Sequence, residues 1–240
     1  MSEFPRIAAV GLGGVLVRFA DHLSEPANRA ALAFRRTVED AAWDGVAECA
    51  TSLTSTFLRF DPLVVEFDDL AARLNALLAS RDWYDVPLPT GRRRFTVPCV
   101  FGGDHGPQFG AAADAAGLDH AAALAALCAP LRVMTIGFAP GLPYMGALPD
   151  FDIARLSDLV SVPAGGVAVA IGQAIIFPNP SPTGWRHVGQ SALRPFQPGA
   201  AQPFLLNAGD EVQFRAADPD ELQAISDAAD PMGGAEVTAI

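Results

Sequence analysis

The 240-residue chain contains no lysine; all sixteen of its basic residues are arginine. Within this polypeptide that excludes a Walker-A phosphate loop, a Schiff-base lysine and a biotin- or lipoyl-bearing lysine. Positive charge is scarce as well. A formal net charge of −11 argues against a nucleic-acid partner, because phosphate contacts need basic patches. No apolar run approaches the roughly 18 residues of a membrane span, so no membrane partner is expected. The start, MSEFPRIAAVGLGG, lacks the basic opening and cleavage pattern of a signal peptide. Cysteine is limited to Cys49, Cys99 and Cys128, which are far apart in apolar surroundings. Buried free thiols and a cytoplasmic location are the expectation.

Familiar catalytic patterns are missing too. The four histidines, His22, His105, His120 and His187, show no metal-ligand spacing, so no metal site is expected. Asp104–His105 in GGDHGP is the nearest thing to a ligand pair, and a turn with a helix cap explains it better. GLGG at 11–14 lacks the third glycine and the following helix of a dinucleotide fingerprint. Neither Ser181 nor Ser191 sits in G-x-S-x-G, so there is no nucleophile elbow. Cys99 and Cys128 have no histidine nearby in sequence, and burial is their default reading.

What is present divides in two. RIAAVGLGGVLVRFA (6–20) reads as two strands about a glycine turn. Ser24 is a candidate N-cap, followed by Pro26 and helically spaced Ala30, Leu32, Phe34 and Val38. TSLTSTFLRF (51–60) reads as a strand and FDDLAARLNALLAS as a second helix. The order ββαβα suggests a small α+β unit with helices on one face of an antiparallel sheet. DVPLPTGRRR (85–94) is the linker candidate, its arginines a solvated charge run. Beyond it come FTVPCVF as a strand, two short helices and then Gly/Pro-punctuated short strands suggesting a barrel or sandwich. DPDELQAISDAA reads as a capped helix and PMGGAEVTAI as a loose tail.

Four segments in order, GFAPGLPYMGALP, VPAGGVAVAIGQ, FPNPSPTGW and AGDEVQF, resemble the signature of the 5-oxoprolinase B-subunit family, also called allophanate hydrolase subunit 1 or the KipI family. That family is related to part of the carboxyltransferase domain of urea carboxylase. The resemblance extends upstream to VPCVFGGDHGPQF and covers about residues 96–216. It implies an α+β chain: a small N-terminal α/β domain of ferredoxin-like type (1–85), a linker (86–95) and a cyclophilin-like β-barrel domain (96–240). It also implies a subunit-C-like partner, with a third subunit joining for ATP-dependent ring opening of 5-oxoproline or a related cyclic amide or urea-like substrate. ATP is the implied cofactor, bound with partner residues. The alternative within the family is a regulatory protein of KipI type that inhibits a histidine kinase. A prolyl-isomerase role would rest on barrel analogy alone.

The resemblance points to Gln173, Arg186 and Arg155 as the groups that act on the substrate. Gln173 and Arg186 would hydrogen-bond a carbonyl or carboxylate. Tyr144, Trp185, Pro140 and Gly141 would bind it, the two aromatics as flat walls. The competing reading for Tyr144 and Trp185 is core packing; for Arg155 and Arg186 it is a surface salt bridge. The chain also departs from the family pattern. Arg155 lacks its preceding proline, Asp158–Leu159 replaces a Pro-Arg pair, Gly166 stands for serine, Thr183 for glycine and Gln190 for arginine, and the histidine before the GF strand has no counterpart near Leu127. Arginines are natural carboxylate clamps. Losing such groups should weaken an anionic ligand by about several kcal/mol if they contact it.

Overall fold

The computed structural model describes residues 4–240. The chain divides into two compact units, one ending at Thr90 and one running Gly91–Ile240.

In the first unit, β1 (Arg6–Val10) and β2 (Gly14–Arg18) form the hairpin that the glycine turn announces. Helix α1 (Glu25–Ala41) follows, its first turn capped by Ser24 Oγ, which accepts from Ala27 N at 3.4 Å. The stretch 51–60 is not one strand. β3 (Val46–Ser52) and β4 (Ser55–Phe60) form a second hairpin that turns at Leu53, φ 42°. The edge strand β3 is largely exposed, so it carries no apolar alternation for a periodicity reading to detect. Helix α2 (Phe67–Ala79) completes a β-β-α-β-β-α unit whose antiparallel sheet runs β1-β2-β4-β3. Its core centres on Phe34 of α1, packed edge-on against Phe19 and Trp83. Each such buried aromatic contributes roughly 1.5–3 kcal/mol by area.

The second unit opens with β5 (Arg93–Phe101), two short helices, α3 (Phe109–Ala116) and α4 (His120–Leu127), and then β6 (Leu131–Ile136) and β7 (Pro143–Gly146). β8 (Val160–Val162), β9 (Gly166–Ala170), β10 (Gln173–Ile176), β11 (Ser181–Thr183) and β12 (Arg186–Gln190) follow. β13 (Glu211–Ala216), α5 (Pro219–Asp227) and β14 (Glu236–Ala239) end the chain. Seven strands close into a barrel in the order β12-β9-β10-β7-β6-β13-β5, sealed where Gly189 and Gln190 return to Phe101 and Val100. Closure removes the exposed edges that short strands would otherwise present.

Strands β9 and β10 are buried on both faces. Val167, Val169, Ala174 and Ile176 join the main core, while Ala168, Ala170 and Ile175 join a second cluster with Leu142, Val162, Phe177 and Trp185. Alternate residues of a strand face opposite sides. The run GVAVAIGQAII, apolar but for Gln173, therefore serves two cores, the outer one beside the two-stranded β8–β11 ribbon.

Two expectations need correction. The arginine run is not a solvated stretch. Arg93 pairs with Asp210 at 2.6 Å and Arg94 with Glu211 at 2.7 Å, and Arg92 also reaches Glu211 at 3.3 Å. β5 lies parallel to β13 with Arg94 opposite Glu211, so pairing brings the opposite charges together. Nor is the C-terminal stretch a loose tail. β14 pairs antiparallel with residues 93–96 of β5, on the part of that long strand that β12 leaves open. Asp218 caps α5 as its sequence suggests, accepting from Glu221 N at 2.8 Å. Among the described residues, no helix is long and apolar enough to cross a membrane.

Candidate functional site

The outer cluster on β7, β9 and β10 is incompletely filled. It leaves a cavity of about 220 Å³ whose lining includes Phe138, Tyr144, Arg155, Leu159, Thr183 and Trp185. β7 supplies Tyr144, opposite Ile175 of β10. The turn from β11 into β12 supplies Trp185, whose backbone N–H donates to Thr183 Oγ1 at 3.1 Å. The two rings meet edge to face, centroids 5.9 Å apart at 70°, a favourable quadrupole arrangement.

Arg155 and Leu159 come from an irregular strap before β8. Backbone bonds fix it: Ile171 N to Ile153 O at 2.8 Å and Leu156 N to Gly184 O at 2.6 Å. Arg186 Nη1 adds a bond to the Ala154 carbonyl at 2.5 Å. Arg155 itself makes no hydrogen bond or ion pair among the described residues. Burial pushes the Tyr144 phenol above its ordinary value of 10.0, opposed by the Arg155 charge. The phenol is thus neutral at physiological pH and keeps a proton that it can donate to a ligand. A solvent-exposed guanidinium without an ion-pair partner, beside a phenol and a threonine hydroxyl, suits a small body bearing one carboxylate.

The structure brings three of the expected site residues, Tyr144, Arg155 and Trp185, to this cavity. Gln173 shares the outer face with Ile175, opposite Ala170, and is 2% exposed. It does not line the cavity, and its Nε2 is buried without a partner. Arg186 is a correction. It begins β12, pairs with Val169 of the main core and does not line the cavity. Pro140 and Gly141 shape the loop instead of lining the site. Gly141 sits at φ 76°, and a Cβ there would lie 2.6 Å from Phe196 Cβ.

Phe138, Leu159 and Thr183 are additions that residue patterns do not single out. Phe138 is the most telling, a non-glycine at φ 65° with 87% of its surface exposed at the cavity. Such a conformation costs of order 1–3 kcal/mol and clusters at functional sites. Its only sequence signal is its place inside GFAPG.

Among the described residues no group of three or more His, Cys, Asp and Glu side chains is placed to hold a metal. Cys99 is buried, whereas Cys49 and Cys128 are half-buried, and all three are free thiols. The Asp104–His105 pair forms a single 3₁₀ turn ahead of α3.

Residues 5–206 match the family described as carboxyltransferase domain, subdomain C and D. The chain belongs to that family. Within it, the chain is 28% identical over 233 residues to the 5-oxoprolinase B-subunit of Bacillus subtilis, covering 87% of this chain and 91% of that protein. It is 32% identical over 167 residues to the 5-oxoprolinase B-subunit of Haemophilus influenzae, covering 68% and 73%. The crystal structure of TTHA0988 matches with a TM-score of 0.70 and 31% identity over 85% of this chain, which spans 40% of that longer one.

ATP, which the family resemblance implies, does not fit this carboxyltransferase-family cavity. A lining whose single cation is Arg155 does not match the charge of three phosphates.

Proposed function

We propose that the chain is a 5-oxoprolinase-like subunit whose barrel holds the substrate, a small cyclic amide carrying a carboxylate. The observation that carries this reading is Arg155: a guanidinium without a counter-ion at a cavity walled by Tyr144 and Trp185. The names of the relatives support it. Arg155 would clamp the carboxylate, Tyr144 would donate to a ring or carbonyl oxygen, and Trp185 would cover the flat face. Gln173 does not line the cavity, and no contact with the substrate is assigned to it. ATP is then bound with residues of a subunit-C-like partner, and no step of its chemistry is assigned to this chain.

On the same reading the barrel is cyclophilin-like. The N-terminal unit is a ferredoxin-like sheet in which β1 takes the place of the last strand of the β-α-β-β-α-β order. The regulatory alternative, inhibition of a histidine kinase, draws support from neither the cavity nor the relatives.

Isothermal calorimetry with L-5-oxoproline on the purified chain, alone and with its co-purified partner, tests the proposal. Saturable binding that Arg155→Met weakens about tenfold to a hundredfold, together with 5-oxoproline-dependent ATP hydrolysis by the pair, is expected. Neither binding nor turnover from the pair would refute it.

A further inference from the structure

Arg186 does not line the cavity, yet its guanidinium is tied to the residue that presents the cavity's cation. Its Nη1 donates to the carbonyl of Ala154 at 2.5 Å, immediately before Arg155. On the other side of Arg155, Leu156 N donates to Gly184 O at 2.6 Å. The Arg155 backbone is therefore gripped at both flanks by the same short segment, Gly184–Arg186, that also delivers Trp185 to the cavity. Between these grips the strap has no regular structure, so nothing in the strap's own backbone pattern fixes where the Arg155 side chain starts. Gly184 leaves little room for another arrangement, since a Cβ there would lie 2.8 Å from Leu156 O and 3.6 Å from Arg155 Cβ.

We infer that Arg186 is a positioning residue: through the Ala154 carbonyl it holds the strap so that Arg155 is aimed at the cavity beside Trp185. Arg186 then does not touch the ligand, and Arg155 does. A charge-assisted bond from guanidinium to carbonyl suits this task, being stronger than a neutral one. The inference rests on the proposed ligand role of Arg155, and its test separates the two.

Affinity for L-5-oxoproline is measured on the full chain for Arg155→Met, Arg186→Met, Arg186→Lys and the double methionine variant. Arg155→Met should weaken binding about tenfold to a hundredfold, the worth of a hydrogen bond to a charged group. Arg186→Met should weaken it about fivefold to tenfold, and Arg186→Lys, which keeps a donor, should recover most of that loss. In the Arg155→Met background, Arg186→Met should cost less than about twofold, because residues acting through one another are not additive.

Hydrogen exchange supplies the arm that needs no ligand. Arg186→Met should speed exchange at the Leu156 amide and leave Val167 and Ile176 of the barrel core unchanged. Equal losses from Arg186→Met in both backgrounds would mean direct ligand contact and would overturn the inference. So would an unaltered Leu156 amide, or exchange raised throughout the barrel. If the wild-type chain binds no 5-oxoproline, the proposed function fails, and the exchange arm alone decides whether Arg186 anchors the strap.

Discussion

Replacing Gly184 with alanine adds one methyl group against the strap and leaves every polar group of the cavity in place. The new Cβ would lie 2.8 Å from the Leu156 carbonyl oxygen, whereas ordinary contact begins at 3.4 Å. The obstacle is backbone, so the strap must retreat by about 0.6 Å or the β11–β12 turn must open by as much, an overpacking that costs about 1–3 kcal/mol. Retreat also stretches the 2.6 Å bond from Leu156 N to Gly184 O. For a unit of this size, roughly 2–4 °C is lost per kcal/mol, so the unfolding midpoint of residues 91–240 should fall by about 2–12 °C. Arg155 precedes Leu156 and moves with it. Displacements of that order at a positioning group cost about tenfold or more, so 5-oxoproline affinity should drop by about tenfold. Thermal unfolding followed by circular dichroism gives the first quantity and calorimetry the second. A midpoint unchanged within about 1 °C, with affinity unchanged within about twofold, would show that the strap does not lie against Gly184, and the account of how Arg155 is held would fall with it.

Asp210 is 3% exposed and accepts from Arg93 N and Asn207 N, both at 2.9 Å, as well as from the Arg93 guanidinium. Either orientation of an amide in Asp210→Asn sets an NH₂ against a donor, so a loss of about 2–3 kcal/mol in urea unfolding is expected, discounted because Arg93 is partly exposed. Burial lowers the His187 pKa below 6.5. The unfolded chain therefore takes up the proton first, and the contribution of neutral His187 is lost as pH falls below about 6.5 towards the folded value. Urea midpoints should decline over that window, and less steeply in His187→Gln. Burial raises the Cys49 thiol to about 11 and the Cys99 thiol well above its ordinary value, so both should label slowly with a disulfide reagent at pH 7.5 and fast in denaturant. Rapid labelling of the native protein at either position would contradict the burial described.

The sequence is legible where one residue carries its own local reason. Ser24, Asp119 and Asp218 cap their helices through a side-chain oxygen that accepts a backbone N–H, and a cap needs no distant partner. It is opaque where meaning depends on a partner far along the chain. Arg93 and Arg94 look like a charge run until β13 brings Asp210 and Glu211 alongside, more than a hundred residues later. The C-terminal residues look idle until β5 offers its open half. In the site, the family resemblance points to Tyr144 and Trp185, with core packing as the competing reading; both line the cavity and both belong to the outer cluster. The order Trp185–Arg186 misleads because Trp185 ends a turn while Arg186 begins β12 and pairs with Val169 of the main core. Phe138 stays hidden because a left-handed backbone at a non-glycine leaves no mark in composition or spacing.

The structure also sorts the departures from the family pattern by where they fall. Gly166 lies in the VPAGG turn, and a Cβ there would come within 2.4 Å of Val162 Cγ1 and 2.9 Å of Pro163 O. A serine would have to rebuild that turn in this chain. Gln190 holds the same turn, donating from Nε2 to Ala164 O and Ser191 O at 2.8 Å each, while Ser191 Oγ bonds Gly165 O at 2.9 Å. Neither Gly166 nor Gln190 lines the cavity, so their effect on a ligand there is at most a distant one, which water and salt screen. Thr183 and Leu159 are departures that do line it; at Thr183 the exchange adds a constraint, its hydroxyl oxygen receiving the Trp185 N–H in a side-chain turn. The charge lost at Gln190 therefore belongs to the scaffold of the turn, whereas the Pro-Arg pair replaced by Asp158–Leu159 leaves an apolar Leu159 at the cavity, which keeps Arg155, Tyr144 and a hydroxyl. The penalty of several kcal/mol expected from missing clamps applies only to groups that reach the ligand, and on this geometry Gly166 and Gln190 do not.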